Sequence, residues 1–165
     1  IPVDDSEIEE IHLYDEPFVY YDTKSVQASK IQSHDINLST LCLLEEGHCM
    51  RTQILELCDS YEQQLHSMLN FRFLAGSIDS LLRFVRANNA STLLPYLATL
   101  DLPESEKEKI STFEEPIPYR TIGLVVHKHF VKHKILDMLK MEIKGQVHPK
   151  LPKNAKSGKM LKPLR

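Results

Sequence analysis

The chain has no tryptophan, and among its 165 residues are only five glycines and three cysteines. The missing tryptophan carries no functional reading. The low and odd cysteine count makes a poor disulfide scaffold of the kind that staples short secreted domains. Cytosolic thiols fit that count better and leave room for a reactive one. No apolar run approaches the roughly eighteen residues that would cross a bilayer. The opening IPVDDSEIEE lacks the basic and apolar runs of a signal peptide, and it lacks an initiator methionine. It reads as a processed end or as the interior of a longer chain. A basic excess is absent as well: the net charge of −3 argues, weakly, against a dedicated nucleic-acid surface.

What is present is ordinary for a soluble protein. Hydrophobic residues make up 42% and charged residues 26%, enough for the core of one domain or of a lobe with additions. Residues 9–21 read as two extended pieces around a turn at Asp15-Glu16-Pro17. Residues 22–37 are polar, with a short helix expected over 24–30. Leu41–Leu44 reads as a buried strand. From Arg51 the period changes: Ile54, Leu57, Cys58, Tyr61, Leu65 and Met68 recur at three and four, one face of a helix to about residue 68. A strand is expected at Phe71–Phe73. A helix capped by Ser77 and stopped at Asn88-Asn89 follows, then a strand ending at Pro95. Residues 103–110 predict a short surface helix. Tyr119–His127 predicts a strand and 129–143 a last helix. Short strands alternating with helices argue for an α/β fold. The final stretch, 146–165, is basic, proline-containing and free of acids; it reads as a solvated tail or a contact for an acidic partner or DNA.

The stretch Glu45-Glu46-Gly47-His48-Cys49-Met50-Arg51, continuing to Cys58, carries the chemistry. Cys49 falls after a glycine turn, about where the helix begins. Unpaired N–H groups and the positive helix end favour an anion there, and so favour thiolate over thiol. His48 and Arg51 are close in sequence and can add positive potential. Cys58 is nine residues on, on the apolar face. Were residues 49 to 58 all helical, their Cα atoms would stand about 13 Å apart, whereas a disulfide needs about 4.4–6.8 Å. A bond between them requires the helix to unwind. Three readings of the cysteines remain open at this point. They are inert core thiols, a redox pair, or a zinc site using Cys42, His48, Cys49 and Cys58, whose spacing does not match compact structural sites. Cys42, on the expected buried strand, reads as a bystander.

LCLLEEGHCMRTQILELC closely resembles the regulatory domain of the OxyR family, the hydrogen-peroxide sensors among LysR-type transcription regulators. Further likeness lies in Leu13-Tyr14-Asp15-Glu16-Pro17, Phe71-Arg72, Ser77-Ile78-Asp79-Ser80-Leu81, Thr92-Leu93-Leu94-Pro95 and Tyr119-Arg120-Thr121-Ile122-Gly123-Leu124-Val125. It covers about residues 8 to 145. The resemblance implies an α/β, periplasmic-binding-protein-like regulatory domain of two lobes. Residues 1–20 would be a remnant of the first lobe and crossover, and 21–115 the second lobe. Residues 116–145 would return to the first lobe, and 146–165 form a basic, flexible tail.

The resemblance makes Cys49 the peroxidatic thiolate and Cys58 its resolving partner, with His48, Arg51 and Arg120 in the thiolate's environment. Asn70 stands where some members carry a histidine, so no acid–base role falls to it, and Phe73–Ala75 is a local departure. It implies a cytoplasmic sensor that reacts in stoichiometric amounts rather than an enzyme, without cofactor or metal. The partners it implies are hydrogen peroxide, a thiol reductant system, further copies in a homodimer or homotetramer, and RNA polymerase. Promoter DNA would be bound only through an N-terminal domain that lies ahead of Ile1. A metabolite-sensing LysR-type domain and a thiol peroxidase are the alternatives. The cysteine pair separates the first from a peroxide sensor, and turnover with a reductant separates the second.

Overall fold

The computed structural model describes residues 1–3, 5–25, 29–45, 49–57, 75–153 and 158–162. Its elements are β1 (Ile8–Asp22), β2 (Lys30–Ile31), α1 (Cys49–Leu57), α2 (Ile78–Ala87), β3 (Ser91–Pro95), α3 (Glu104–Lys107), β4 (Ile110–Phe113), β5 (Ile117–His127), α4 (His133–Val147) and β6 (Gly158–Met160). Strand β1 organises the sheet. Its first part, Ile8 to Pro17, pairs antiparallel with β5. Its second part, Phe18 to Asp22, lies between β3 and β4, antiparallel to both. β2 joins β4 in parallel, and β6 joins β5 in parallel.

The two parts of β1 have different burial because they have different neighbours. Phe18, Val19, Tyr20 and Tyr21 are all buried, as expected for aromatic and β-branched residues in a strand covered on both faces. The first part has a mixed pattern. The turn expected at Asp15-Glu16-Pro17 does not form: one strand runs through it. Local turn chemistry is overridden by partners across the sheet. Asp15 accepts a hydrogen bond from Thr121 Oγ1 at 2.8 Å, and Glu16 accepts from the Leu97 N–H at 2.8 Å. Pairing with β5 ends at Pro17 and pairing with β3 begins at Phe18 opposite Pro95. Prolines give no ladder hydrogen bond and sit well at such a changeover. The strand's irregularity lies elsewhere, between His12 and Tyr14.

The core gathers around the second part of β1. It takes in Leu41–Leu44, Leu93 and Leu94 of β3, Leu81, Leu82 and Val85 of α2, and Met50, Ile54 and Leu57 of α1. Leu41–Leu44 is buried as expected, but it makes isolated parallel bridges, Leu41 to Ser91 and Leu44 to Ala75, in place of a full strand. Helix α2 starts where Ser77 predicts. The Ser77 Oγ accepts from the Ser80 N–H at 3.2 Å, satisfying one donor of the first turn. It ends before Asn89, whose φ of 51° is one asparagine tolerates and a helix cannot use. α3 is the expected surface helix, shortened to one turn. β4 has no counterpart in the sequence-based reading. The helix expected over 24–30 falls partly outside the described residues, and Lys30 belongs to β2. The helix beyond Leu57 and the strand at Phe71–Phe73 lie outside the described residues. The core does not extend to α4. That helix buries Leu136 but leaves Ile135, Met138, Leu139 and Met141 exposed.

The chain end corrects an expectation. Residues 158–162 are not a solvated tail. β6 pairs with Ile117–Tyr119 of β5, the Leu161 N–H donates to Tyr119 O at 2.8 Å, and Leu161 is 1% exposed. Composition misled because the local segment is polar. One leucine with a core pocket and an open strand edge suffices to dock it, while the side chains of Lys159 and Lys162 stay exposed. Leu161→Ala is therefore expected to destabilise the fold by about 2–5 kcal/mol in denaturant titration. A solvated tail would give a change within about 0.5 kcal/mol.

Candidate functional site

Cys49 is the first residue of α1 and is exposed. The helix beneath it is fixed by a stripe at the 3.6-residue period: Met50, Gln53, Ile54 and Leu57 are buried. The thiol thus stands at the solvent-facing N-terminal end of an anchored helix. Arg51 turns back and donates from Nη1 to Leu44 O at 3.0 Å, which ties the helix to the segment before it. His48 and Cys58 lie outside the described residues.

Cys42 has a different environment. It is 2% exposed, its Sγ faces Thr40 O at 3.7 Å, and burial pushes its thiol pKa up. A protonated buried thiol is a poor nucleophile. Among the described residues, no group of three His, Cys, Asp or Glu side chains is placed to hold a metal ion.

Arg120 lies on β5 and is committed to a partner that the sequence analysis did not single out. Its Nε and Nη2 donate to Glu16 Oε2 at 2.9 and 2.8 Å. Glu16 is 1% exposed, and its other oxygen accepts from the Leu97 N–H. The fork onto one carboxylate with the amide on the other oxygen satisfies a buried charge with charge-assisted bonds. Tyr14 is beside this pair: burial raises its pKa first and the Glu16 charge raises it further, while Arg120 lowers it. Among the described residues no hydrogen bond or ion pair joins Arg51 or Arg120 to Cys49. In sequence Glu16 is an acid at an expected turn; its need for a cationic partner follows only once a strand runs through it and buries it.

Gln53 was also missed. It is 5% exposed on the inner face of α1, donating from Nε2 to Leu161 O at 3.0 Å. Three residues on, Glu56 Oε2 accepts from the Lys162 N–H at 2.7 Å. The C-terminal segment is thus bound directly to the helix that carries Cys49.

A long strand shared by two sheet regions, with helices on it and a late strand returning beside it, is the layout of a two-lobed α/β regulatory domain. The family model for the LysR substrate binding domain matches residues 1–139. The chain belongs to that family and has the periplasmic-binding-protein-like fold of LysR-type regulatory domains. Within the family it is similar to the DNA-binding transcriptional dual regulator OxyR of Escherichia coli K12, at 34% identity over 121 residues, 70% of this chain and 38% of that one. The HTH-type transcriptional regulator EstR of Acinetobacter baylyi is 33% identical over 125 residues, 73% of this chain and 40% of that one. Among solved structures, reduced OxyR from Porphyromonas gingivalis superposes with a TM-score of 0.78 at 25% identity, covering 95% of this chain and 72% of that one. A reduced OxyR from N. meningitidis gives 0.66 at 27% identity, covering 89% and 70%. The chain spans well under half the length of the curated relatives it matches.

Two outcomes follow from the geometry. Iodoacetamide under native conditions should modify Cys49 roughly tenfold or more faster than Cys42, which reacts only through opening of the core; peptide mass spectrometry reads the ratio. Glu16→Gln should cost about 2–3 kcal/mol, because it leaves the Arg120 charge without its counter-charge. Calorimetry would then show a melting temperature lower by roughly 5–10 °C, and an unchanged one would mean that the pair is not formed in solution.

Proposed function

We propose that this chain is the sensing part of a cytoplasmic, hydrogen-peroxide-responsive LysR-type transcription regulator, and that Cys49 and Cys58 are its switch. The Cys49 thiolate attacks one oxygen of hydrogen peroxide. The O–O bond breaks, Cys49 becomes a sulfenic acid, and the other oxygen leaves as hydroxide and takes a proton to become water. The Cys58 thiol then displaces the sulfenic hydroxyl, giving a disulfide and a second water. Two thiols lose two electrons and the peroxide gains them. A cellular dithiol reverses the step by exchange. One oxidation per chain switches a regulator, so no turnover is required of it.

The observation that carries the reading is the position of Cys49 relative to α1. Eight helical rises separate Cys49 from Leu57, about 12 Å. Cys58 follows Leu57 directly, and one peptide reaches 3.8 Å between Cα atoms. Wherever Cys58 points, at least about 8 Å would remain between the two Cα atoms, beyond what a disulfide spans. The helix and the disulfide exclude each other, so oxidation has to remodel α1. Similarity by itself does not select this reading, since EstR and the E. coli OxyR are almost equally identical to the chain. The cysteine pair does, because a metabolite sensor has no need to place two thiols across a helix.

In this reading His48 and Arg51 lend positive potential to the thiolate. Arg120 acts from the crossover strand in company with Glu16. Residues 21–115 form the second lobe, and 1–20 and 116–145 form the crossover and the returning part of the first. The exposed apolar side chains of α4 accord with that assignment. The whole protein would assemble as a homodimer or homotetramer through its regulatory domains. It would bind promoter DNA through its N-terminal domain and act on RNA polymerase at antioxidant genes.

One equivalent of hydrogen peroxide, without reductant, should remove two hydrogens from the chain's mass and produce a Cys49–Cys58 crosslinked peptide. Dithiothreitol should reverse it, and Cys49→Ser should abolish it. A folded chain that stays reduced would sink the proposal and favour a metabolite-binding regulator.

A further inference from the structure

The segment Gly158–Lys162 is gripped from two sides. On one side it adds to β5: Gly158, Lys159 and Met160 pair with Ile117, Pro118 and Tyr119. The approach at Gly158 is so close that a Cβ there would stand 1.8 Å from Ile117 O. On the other side it is bound by α1, through Gln53 Nε2 to Leu161 O and Lys162 N–H to Glu56 Oε2. Leu161 fills the same core cluster as Met50, Ile54 and Leu57 of α1.

Gln53 and Glu56 are three residues apart, so only a helix presents both to one short stretch of backbone. If residues 49–57 leave the helical conformation, the two anchors separate and the leucine loses the wall it packs on. Among the described residues Gln53 Oε1 is buried without a hydrogen-bond partner, and the side-chain amide's one bond there is the one to the segment. We infer that α1 and the strap Gly158–Lys162 form one cooperative unit, so that unwinding α1 releases the strap and the strap carries the state of Cys49 to the chain's C-terminal end. This rests on the peroxide-sensing reading for its trigger, but not for the coupling itself. Coupling is reciprocal: a docked strap holds α1 in the helix and opposes the disulfide, and a weakened strap favours it.

Hydrogen exchange read by mass spectrometry tests this on the intact chain, reduced and after one equivalent of hydrogen peroxide. Once the Cys49–Cys58 bond has formed, exchange at the Leu161 and Lys162 amides should rise about tenfold or more, while β3 is unchanged. In the reduced chain, Gln53→Ala should speed exchange in both α1 and the strap. Gly158→Ala, which lies outside α1, should do the same from the strap's side and serves if the first variant does not fold. Both should shift the disulfide toward the oxidised form by about tenfold in a glutathione buffer. A disulfide formed with the strap amides as protected as before overturns the inference and leaves the sensing reading intact. If peroxide forms no Cys49–Cys58 bond, the sensing reading fails. The reduced variants then decide: α1 exchange unaltered in both overturns the coupling, and faster exchange in both supports it.

Discussion

Backbone pairing along β1 is the constraint from which the other positions follow. Fifteen residues of one strand serve two sheet regions, with β5 along its first part and β3 and β4 flanking its second. A strand cannot slip by one residue without turning every side chain to the opposite face, and pairing with β5 fixes the register of the first part, with one shift between His12 and Tyr14. That register places Glu16 opposite Arg120. It also puts Tyr119 where the Leu161 N–H finds its carbonyl. The core around Phe18–Tyr21 and the C-terminal strap are therefore positioned by the same strand, although they are far apart in sequence.

The Glu16–Arg120 pair shows how a charge is held at the changeover of β1. Removing a carboxylate from water is unfavourable unless its oxygens are filled. Here two guanidinium N–H groups and the Leu97 amide fill them. The pair joins β1, β5 and the turn after β3. An arginine so bound has a defined position and a reduced net field.

Much of this was readable in the residues, with identifiable exceptions. Cap and period found α2 because Ser77 and the Leu81–Leu82–Val85 stripe are local signals. Cys49 at a helix start and Cys42 in a buried segment were likewise visible in spacing and polarity. The turn expected at Asp15–Pro17 failed because its acids are satisfied by partners about a hundred residues away, which local propensity cannot register. The docked C-terminal segment failed for the same reason: its pocket is built by α1 and its strand edge by β5. Gln53 and Glu16 escaped notice because a polar residue's burial depends on tertiary partners, not on its own stretch of chain. His48 and Cys58 were named from sequence and lie outside the described residues, so that half of the proposed switch stands on chain connectivity.

Connectivity is nevertheless a firm constraint, since it sets a minimum distance without reference to any side chain. A helix from Cys49 to Leu57 with Cys58 next in line cannot close on itself. Carbon chemical shifts of residues 49–57, compared by NMR in the reduced chain and in chain carrying the Cys49–Cys58 disulfide, test that claim most directly. The account predicts helical Cα shifts in the reduced chain that are lost across 49–57 once the disulfide has formed. A disulfide-bonded chain whose residues 49–57 keep their helical shifts would contradict it.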